Sequence, residues 1–181
     1  MFRRMRNPAL NADPLNPAQL QLLSQANQFL AGAQPGQAAP LYARLAGAME
    51  TSKHPRRAAN LHAQAAHAYA DNNAEQSALA HARSALNLFI QYQMVRRTPV
   101  FYANITRKLN AHGMKTAADA LAQEFGGKVG ALPAAPAAPA QHGRLPTNCP
   151  KCGAPLHASD ATWVDADTAE CDYCGVSIRA E

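Results

Sequence analysis

From about Pro17 to Phe125 the chain repeats one pattern. Alanine, aliphatic or aromatic residues recur at three- and four-residue steps, with polar residues between them. That spacing gathers the apolar positions on one face of a helix. Turn signals interrupt the pattern at short intervals and predict six helices. PAQLQLLSQANQFLAG is the first, with Asn16 as cap and Pro17 in its first turn. A second follows Gln34–Pro35–Gly36 and carries Pro40 near its start, where proline is tolerated. The third begins about Pro55, with Ser52 or His54 near its cap, and ends at Asp71–Asn72–Asn73. The fourth is predicted from Ala74 to about Arg97. Thr98–Pro99 opens the fifth, which stops near His112–Gly113, and the sixth spans Lys115–Phe125 and ends on Gly126–Gly127.

A shift of 40 residues superposes these helices in pairs. Ala26, Ala66 and Thr106 fall together, as do Phe29, Tyr69 and Leu109, then Ala38, Ala78 and Ala118, then Tyr42, Ala82 and Ala122, and finally Leu45, Ala85 and Phe125. Small residues let helix backbones approach, and larger ones fill the neighbouring groove. The pattern resembles the tetratricopeptide (TPR) family over about 110 residues. It differs in its period, 40 rather than 34, and lacks the Trp and Gly of that family's first helix. The resemblance implies an array of helical hairpins with a protein-binding groove.

After Gly127 the texture changes. KVGALPAAPAAPAQHGRLPTN has no periodicity and many prolines, so it reads as an extended tether. Its residues 131–146, at about 3.1 Å each, reach about 50 Å, enough to let the last segment move over the body or beyond it. That segment holds all four cysteines, as Cys149-x2-Cys152-x18-Cys171-x2-Cys174, each pair followed by glycine. Two such turns offer four thiolates to one tetrahedral ion. ATWV, TAEC and VSIR read as short strands around an Asp165–Ala166–Asp167 turn. The last 33 or so residues resemble the zinc-ribbon family. The resemblance implies one structural Zn2+ on Cys149, Cys152, Cys171 and Cys174. Iron in a rubredoxin-like cage is the rival metal, and His157 is a spare donor that four thiolates make unnecessary. The apolar content of this segment, Leu156, Trp163, Val164, Val176 and Ile178, is too small to fold alone, so a metal is expected to be part of its fold.

The predicted architecture is therefore mainly α. An N-terminal arm occupies 1–16 and a TPR-like helical domain 17–126. A Pro/Ala-rich linker follows at 127–147, and a small β ribbon at 148–181.

Charge sharpens this division. Before residue 147 there are fifteen Lys and Arg against six acids, a net of +9; after it there are two against six, a net of −4. Such asymmetry can mark an anionic partner or an internal docking of the two parts, while charges simply solvated at the surface are the plainer reading. Arg56–Arg57 and Arg96–Arg97 are also 40 apart and would lie side by side, with Lys53, Arg107 and Lys108 extending the ridge. Arg56 and Arg57 fall in a first helical turn, where cations oppose the helix dipole, so the four arginines are candidate contacts for an anion beside the plainer reading of a solvated rim. No stacking aromatics interleave with them, which argues against nucleic acid.

No run is apolar and long enough to cross a membrane, and the arginine-bearing start has no apolar stretch of a secretory leader. A cytoplasmic, reducing setting is expected. No HExxH, Ser–His–Asp or phosphate-loop pattern occurs, and His62, His67 and His81 read as groove or surface residues. Tyr42, Tyr69, Tyr92 and Tyr102 are candidate groove contacts, with core packing the preferred reading for each. The expected function is a non-enzymatic interaction or adaptor protein with a protein partner. Nucleic-acid binding and iron-based electron transfer stand as alternatives.

Overall fold

A computed structural model describes residues 15–133, 142–156, 158 and 161–180. Almost all of the N-terminal arm, residues 134–141 of the tether, and His157 lie outside the described residues.

Six helices form the body: α1 (Pro17–Ala31), α2 (Pro35–Thr51), α3 (Pro55–Asp71), α4 (Glu75–Gln91), α5 (Arg97–Ala111) and α6 (Lys115–Gly130). Asn16 caps α1 in a capping box with Gln19, so two orphan amides are satisfied reciprocally. Beneath the hairpin period lies a shorter one: α2, α3, α4 and α6 begin at residues 35, 55, 75 and 115, in multiples of 20. The same turn recurs at that step. Ala33, Lys53, Asn73, Gln93 and Gly113 all have positive φ. At each, the next residue donates its amide back across the helix end, as in Gln34 to Phe29 and His54 to Met49. This is the Schellman closure, which satisfies carbonyls that a helix end leaves orphaned. One closing residue in five is glycine here, so the other four hold a left-handed conformation that costs about 1 kcal/mol each and persists because packing on both sides fixes it.

Two boundaries differ from the sequence expectation. α4 stops at Gln91, and Arg96 is the cap residue of α5. α6 runs past Gly126–Gly127 to Gly130. Helix continues there because Val129 packs on the core and Lys128 lies over the Phe125 ring. A β-carbon on Gly126 would meet the Tyr102 hydroxyl at 3.4 Å, so the small residue permits close approach instead of ending the helix.

The core is built on alanine. α3 divides its small residues between two clusters: Ala58, Ala65 and Ala68 face one, with Leu23, Tyr42 and Leu45, while Ala59, Ala66 and Ala70 face the other, with Leu86, Phe89, Ile105 and Phe125. Alanines let helices pack closely, and the larger residues fill the space between them. Polar stitches join alternate helices. Lys108 reaches Asp71 from α5 to α3, and Arg83 reaches Glu124 from α4 to α6. Glu75 accepts from the amide of Ala117, an orphan donor in the first turn of α6.

The last segment is a three-stranded antiparallel sheet, β1 (Thr162–Trp163), β2 (Thr168–Glu170) and β3 (Ser177–Arg179), in the order β1-β2-β3. Ala169 pairs with Ile178 at its centre, and both are buried. Asp165 accepts from the Asp167 amide in the turn between β1 and β2. Trp163 stacks on His142 at 4.1 Å, and Val164 is 46% exposed, so neither makes a ribbon core. The ribbon's buried side instead joins the helical core of α1–α3. The free movement expected from the tether is thus not what the structure shows: the segment is seated on the helices.

Candidate metal centre

Two equal turns build the cysteine site. In the first, Gly153 donates to the Cys149 carbonyl and Cys149 donates to Ala154, both at 2.8 Å. In the second, Gly175 donates to Cys171 at 2.8 Å and Cys171 to Val176 at 2.9 Å. Both glycines have φ of 76°, the left-handed conformation that closes each turn. The turns thereby point four buried sulfurs inward, all within 4.8 Å of one another. Cys149 and Cys174 Sγ are 3.7 Å apart, and Cys152 and Cys171 Sγ are 3.8 Å apart. Metal–sulfur bonds of about 2.3 Å in a tetrahedron require sulfur separations of about 3.8 Å. The four-thiol geometry therefore fits one tetrahedral ion, and all four cysteines are free.

The sulfurs lie within hydrogen-bonding reach of one another. Hydrogen bonds, first from Cys152, hold the Cys149 thiol far below its ordinary range, while Cys149 as neighbour pushes Cys152 and Cys171 up. A divalent cation at the centre of the four sulfurs would displace their protons. With four sulfurs bound, a tetrahedral ion would have no position left for water.

The site is carried on the inner helices α1, α3 and α5. Asn27 on α1 donates to the Cys152 carbonyl and accepts from the Tyr42 hydroxyl. Asn60 on α3 donates to the Asp172 carbonyl at 3.2 Å, and Gln64 donates to the Tyr173 hydroxyl at 3.0 Å. The Leu15 amide donates to the Cys174 carbonyl. Two ion pairs complete the seat: Arg57 with Glu170 at 3.1 Å and Arg97 with Asp172 at 2.6 Å. Arg57 is only 4% exposed. Burial pushes the Glu170 carboxyl up and Arg57 pulls it back down. Tyr173 is buried against the helices, and loss of solvent raises its phenol.

The four arginines singled out by spacing therefore divide. Arg57 and Arg97 lie together and face the ribbon's acids; Arg56 is exposed, and Arg96 is half-buried at the start of α5. The ridge does not continue as expected. Arg107 and Lys108 lie at the far end of α5, where Lys108 is held by Asp71 and Arg107 donates to Asn104. Asn27, Asn60, Gln64 and Tyr173 carry as much of the seat as the arginines, and no motif marked them. The acid-rich stretch Glu170–Cys171–Asp172 opposite a basic body was the available signal.

The tyrosines pack mostly into the core, the preferred of their two expected roles. Tyr42 is buried, Tyr69 stacks on His81, Tyr102 packs beside Gly126, and Tyr92 at 36% exposure ends α4. The histidines correct the surface assignment: His62 is buried, its Nε2 on Glu50 at 3.2 Å and its Nδ1 2.8 Å from His81 Nδ1. Burial lowers His62, and lowers His67 and His81 to about 4.

Beyond the ribbon the inner face remains open. A cavity of about 230 Å³ lies between ribbon and helices, lined by Phe101, Leu156 and Tyr173 among others. A wider hollow of about 580 Å³ continues along α3 and α5, lined by Leu30, Asp71, Arg107, Lys108 and His112. Gln64, His67 and Asn104 line both, so the two form one groove. Among the described residues, no helix is long and apolar enough to cross a membrane. No protein-family model matches the chain, and comparison with curated proteins and with solved structures returns no match.

Proposed function

We propose that this chain is a non-enzymatic interaction protein of the cytoplasm, in which a zinc-stapled ribbon and a TPR-like helical array act as one unit to receive a protein segment. The carrying observation is the continuous groove on α3 and α5, half filled by the ribbon and half open. Its open half joins apolar Leu30, Ala68 and Ala111 to polar Asn104, Arg107 and His112. That mixture suits an extended peptide, whose backbone needs hydrogen-bond partners and whose side chains need apolar contact. Zinc is preferred to iron because the closed four-sulfur site sits in a structural role, on a segment with too little core to fold alone. With Arg57 and Arg97 paired to the ribbon, less basic surface remains for nucleic acid.

The test is a random peptide display screen against the intact, zinc-loaded protein. Enriched sequences should lose binding when Asn104→Ala and Arg107→Ala are introduced together. Absence of enrichment, or enrichment indifferent to that pair, removes the reading.

A further inference from the structure

Three ionisable side chains from successive helices meet outside the metal centre, and none of them lines either hollow of the groove. Glu50 lies in the last turn of α2, His62 in the middle of α3 and His81 in α4. An acid in a last turn opposes the helix dipole, so Glu50 is not placed there for the sake of its own helix. His62 Nε2 lies 3.2 Å from a Glu50 oxygen, and His62 Nδ1 lies 2.8 Å from His81 Nδ1. The two ring centroids are 5.0 Å apart, so the nitrogens meet nearly head on, as in an N–H···N bond. A tetrahedral ion needs lone pairs that converge at an angle, and this pair does not offer them.

These contacts fix where the protons are. A carboxylate only accepts, so His62 Nε2 carries its ring's hydrogen. Burial keeps both rings uncharged at neutral pH, with His81 lowered to about 4. A neutral His62 then has a bare Nδ1, and His81 Nδ1 must donate to it. The lone pair of His81 is thereby left on Nε2. Among the described residues, the buried side-chain atoms without a partner are on His67 and Thr106, so the unbonded Nε2 of half-buried His81 reaches water. Tyr69 stacks flat on the ring, 9° from parallel at 5.3 Å, and holds its orientation. A nucleophile touching a base, with the base oriented by a third group, is the arrangement of an activated nucleophile. The charged neighbour within reach of the pair is the Glu50 carboxylate. An incoming phosphate would meet like charge there, whereas a neutral carbonyl compound would not.

We propose that His81 is a covalent acylation site, its Nε2 taking an acyl group from a neutral activated carbonyl compound such as a thioester, with His62 and Glu50 as positioning residues. The Nε2–C bond forms as the C–S bond breaks, and the sulfur leaves with the electron pair. The Nδ1 proton of His81 passes to His62 Nδ1, and Glu50 holds the resulting imidazolium. Water restores the ring by adding to the carbonyl. The C–N bond then breaks, a carboxylic acid departs, and the proton returns from His62 to His81. While it lasts, the modification places a charge inside the junction of α2, α3 and α4. The inference goes beyond the interaction reading and shares no residue with it, so the two tests fail separately.

The probe is diethyl pyrocarbonate, a neutral acylating agent, added to the full zinc-loaded chain with Nα-acetylhistidine in the same mixture. Peptide mass spectrometry follows the label on His81. An ordinary histidine titrates near 6.5, so the free derivative should react about tenfold more slowly at pH 5.5 than at pH 7.5. His81, whose lone pair stays free, should slow by less than about twofold over the same range. Glu50→Gln, at an exposed position, keeps an acceptor for His62 but removes the charge. It and His62→Gln should each cut the His81 rate about fivefold or more at pH 7.5, with helical circular dichroism retained. If His62→Gln unfolds the body, Glu50→Gln decides alone. An unlabelled His81 overturns the proposal, as does a rate that falls with pH like that of the free derivative. A rate indifferent to Glu50→Gln overturns it too. Preferential labelling of His81 by phosphoramidate would also overturn it, since the site would then be a phosphoryl acceptor.

Discussion

The guanidinium of Arg57 occupies the space where Gly175 has no side chain. A β-carbon on that glycine would overlap its Nη2 and Cζ atoms. The glycine that closes the second cysteine turn is therefore also the opening through which a helix cation reaches Glu170. Metal site and docking seat share one residue.

Gly153 and Gly175 make a matched pair for testing this. Both have φ of 76°, but a side chain on Gly153 meets only Asn27, at 3.8 Å. Gly153→Ala should lose about 1–3 kcal/mol through backbone strain alone. Gly175→Ala should lose distinctly more and release Arg57. Denaturant unfolding of both variants, zinc-loaded, measures the difference, and equal losses would show that the Arg57 contact contributes nothing.

Arg97 and Asp172 form a partly buried pair, with Asn60 accepting from the same guanidinium. Arg97→Ala should destabilise by about 3 kcal/mol, since it strands a carboxylate in the seat. Adding Asp172→Ala should restore much of that loss. A double-mutant cycle in urea gives the coupling, and strict additivity would place the pair outside the stability of the fold. Charge reversal at exposed Arg56 should be neutral within about 0.5 kcal/mol, whereas reversal at Arg57 should unseat the ribbon.

Removing the ion should be felt beyond the ribbon. Leu15, which leads into α1, donates to Cys174, and Asn27 and Tyr42 connect Cys152 to α2. Cys171→Ser should cut bound metal from one ion per chain towards none, measured by elemental analysis. It should also raise hydrogen exchange at the Leu15 amide and the first turn of α3, while α4–α6 stay protected. Uniform protection throughout would mean that docking is independent of the metal.

Acid should weaken the helical body before the carboxylates titrate. His67 and His81 have values of about 4 in the folded chain against 6.5 ordinarily, because burial disfavours their charged forms. Between those limits the unfolded chain binds more protons than the folded one. Stability is thus complete above about pH 6.5 and declines as pH falls towards 4. Urea midpoints across this range give the slope, and His81→Gln should flatten it. A slope unchanged by that variant would assign the acid sensitivity elsewhere.

Periodicity and punctuation carried the helices. Asn16–Pro17, Gln34–Pro35–Gly36 and Asp71–Asn72–Asn73 are local devices, and local sterics and capping settle them without distant help. The cysteine quartet was legible for the same reason: two short turns of fixed spacing carry their own geometry, and one ion joins them. What the sequence by itself determined is therefore the set of elements, the hairpin repeat and the four sulfurs. Tertiary structure decided where the glycines of α6 stay helical, through Tyr102 and Val129, and which histidines are buried. It also decided that Arg57 and Arg97 meet acids more than 70 residues further along the chain. Such pairings depend on which faces of separate helices converge, and no local pattern encodes a contact whose free energy arises only when both surfaces leave water together.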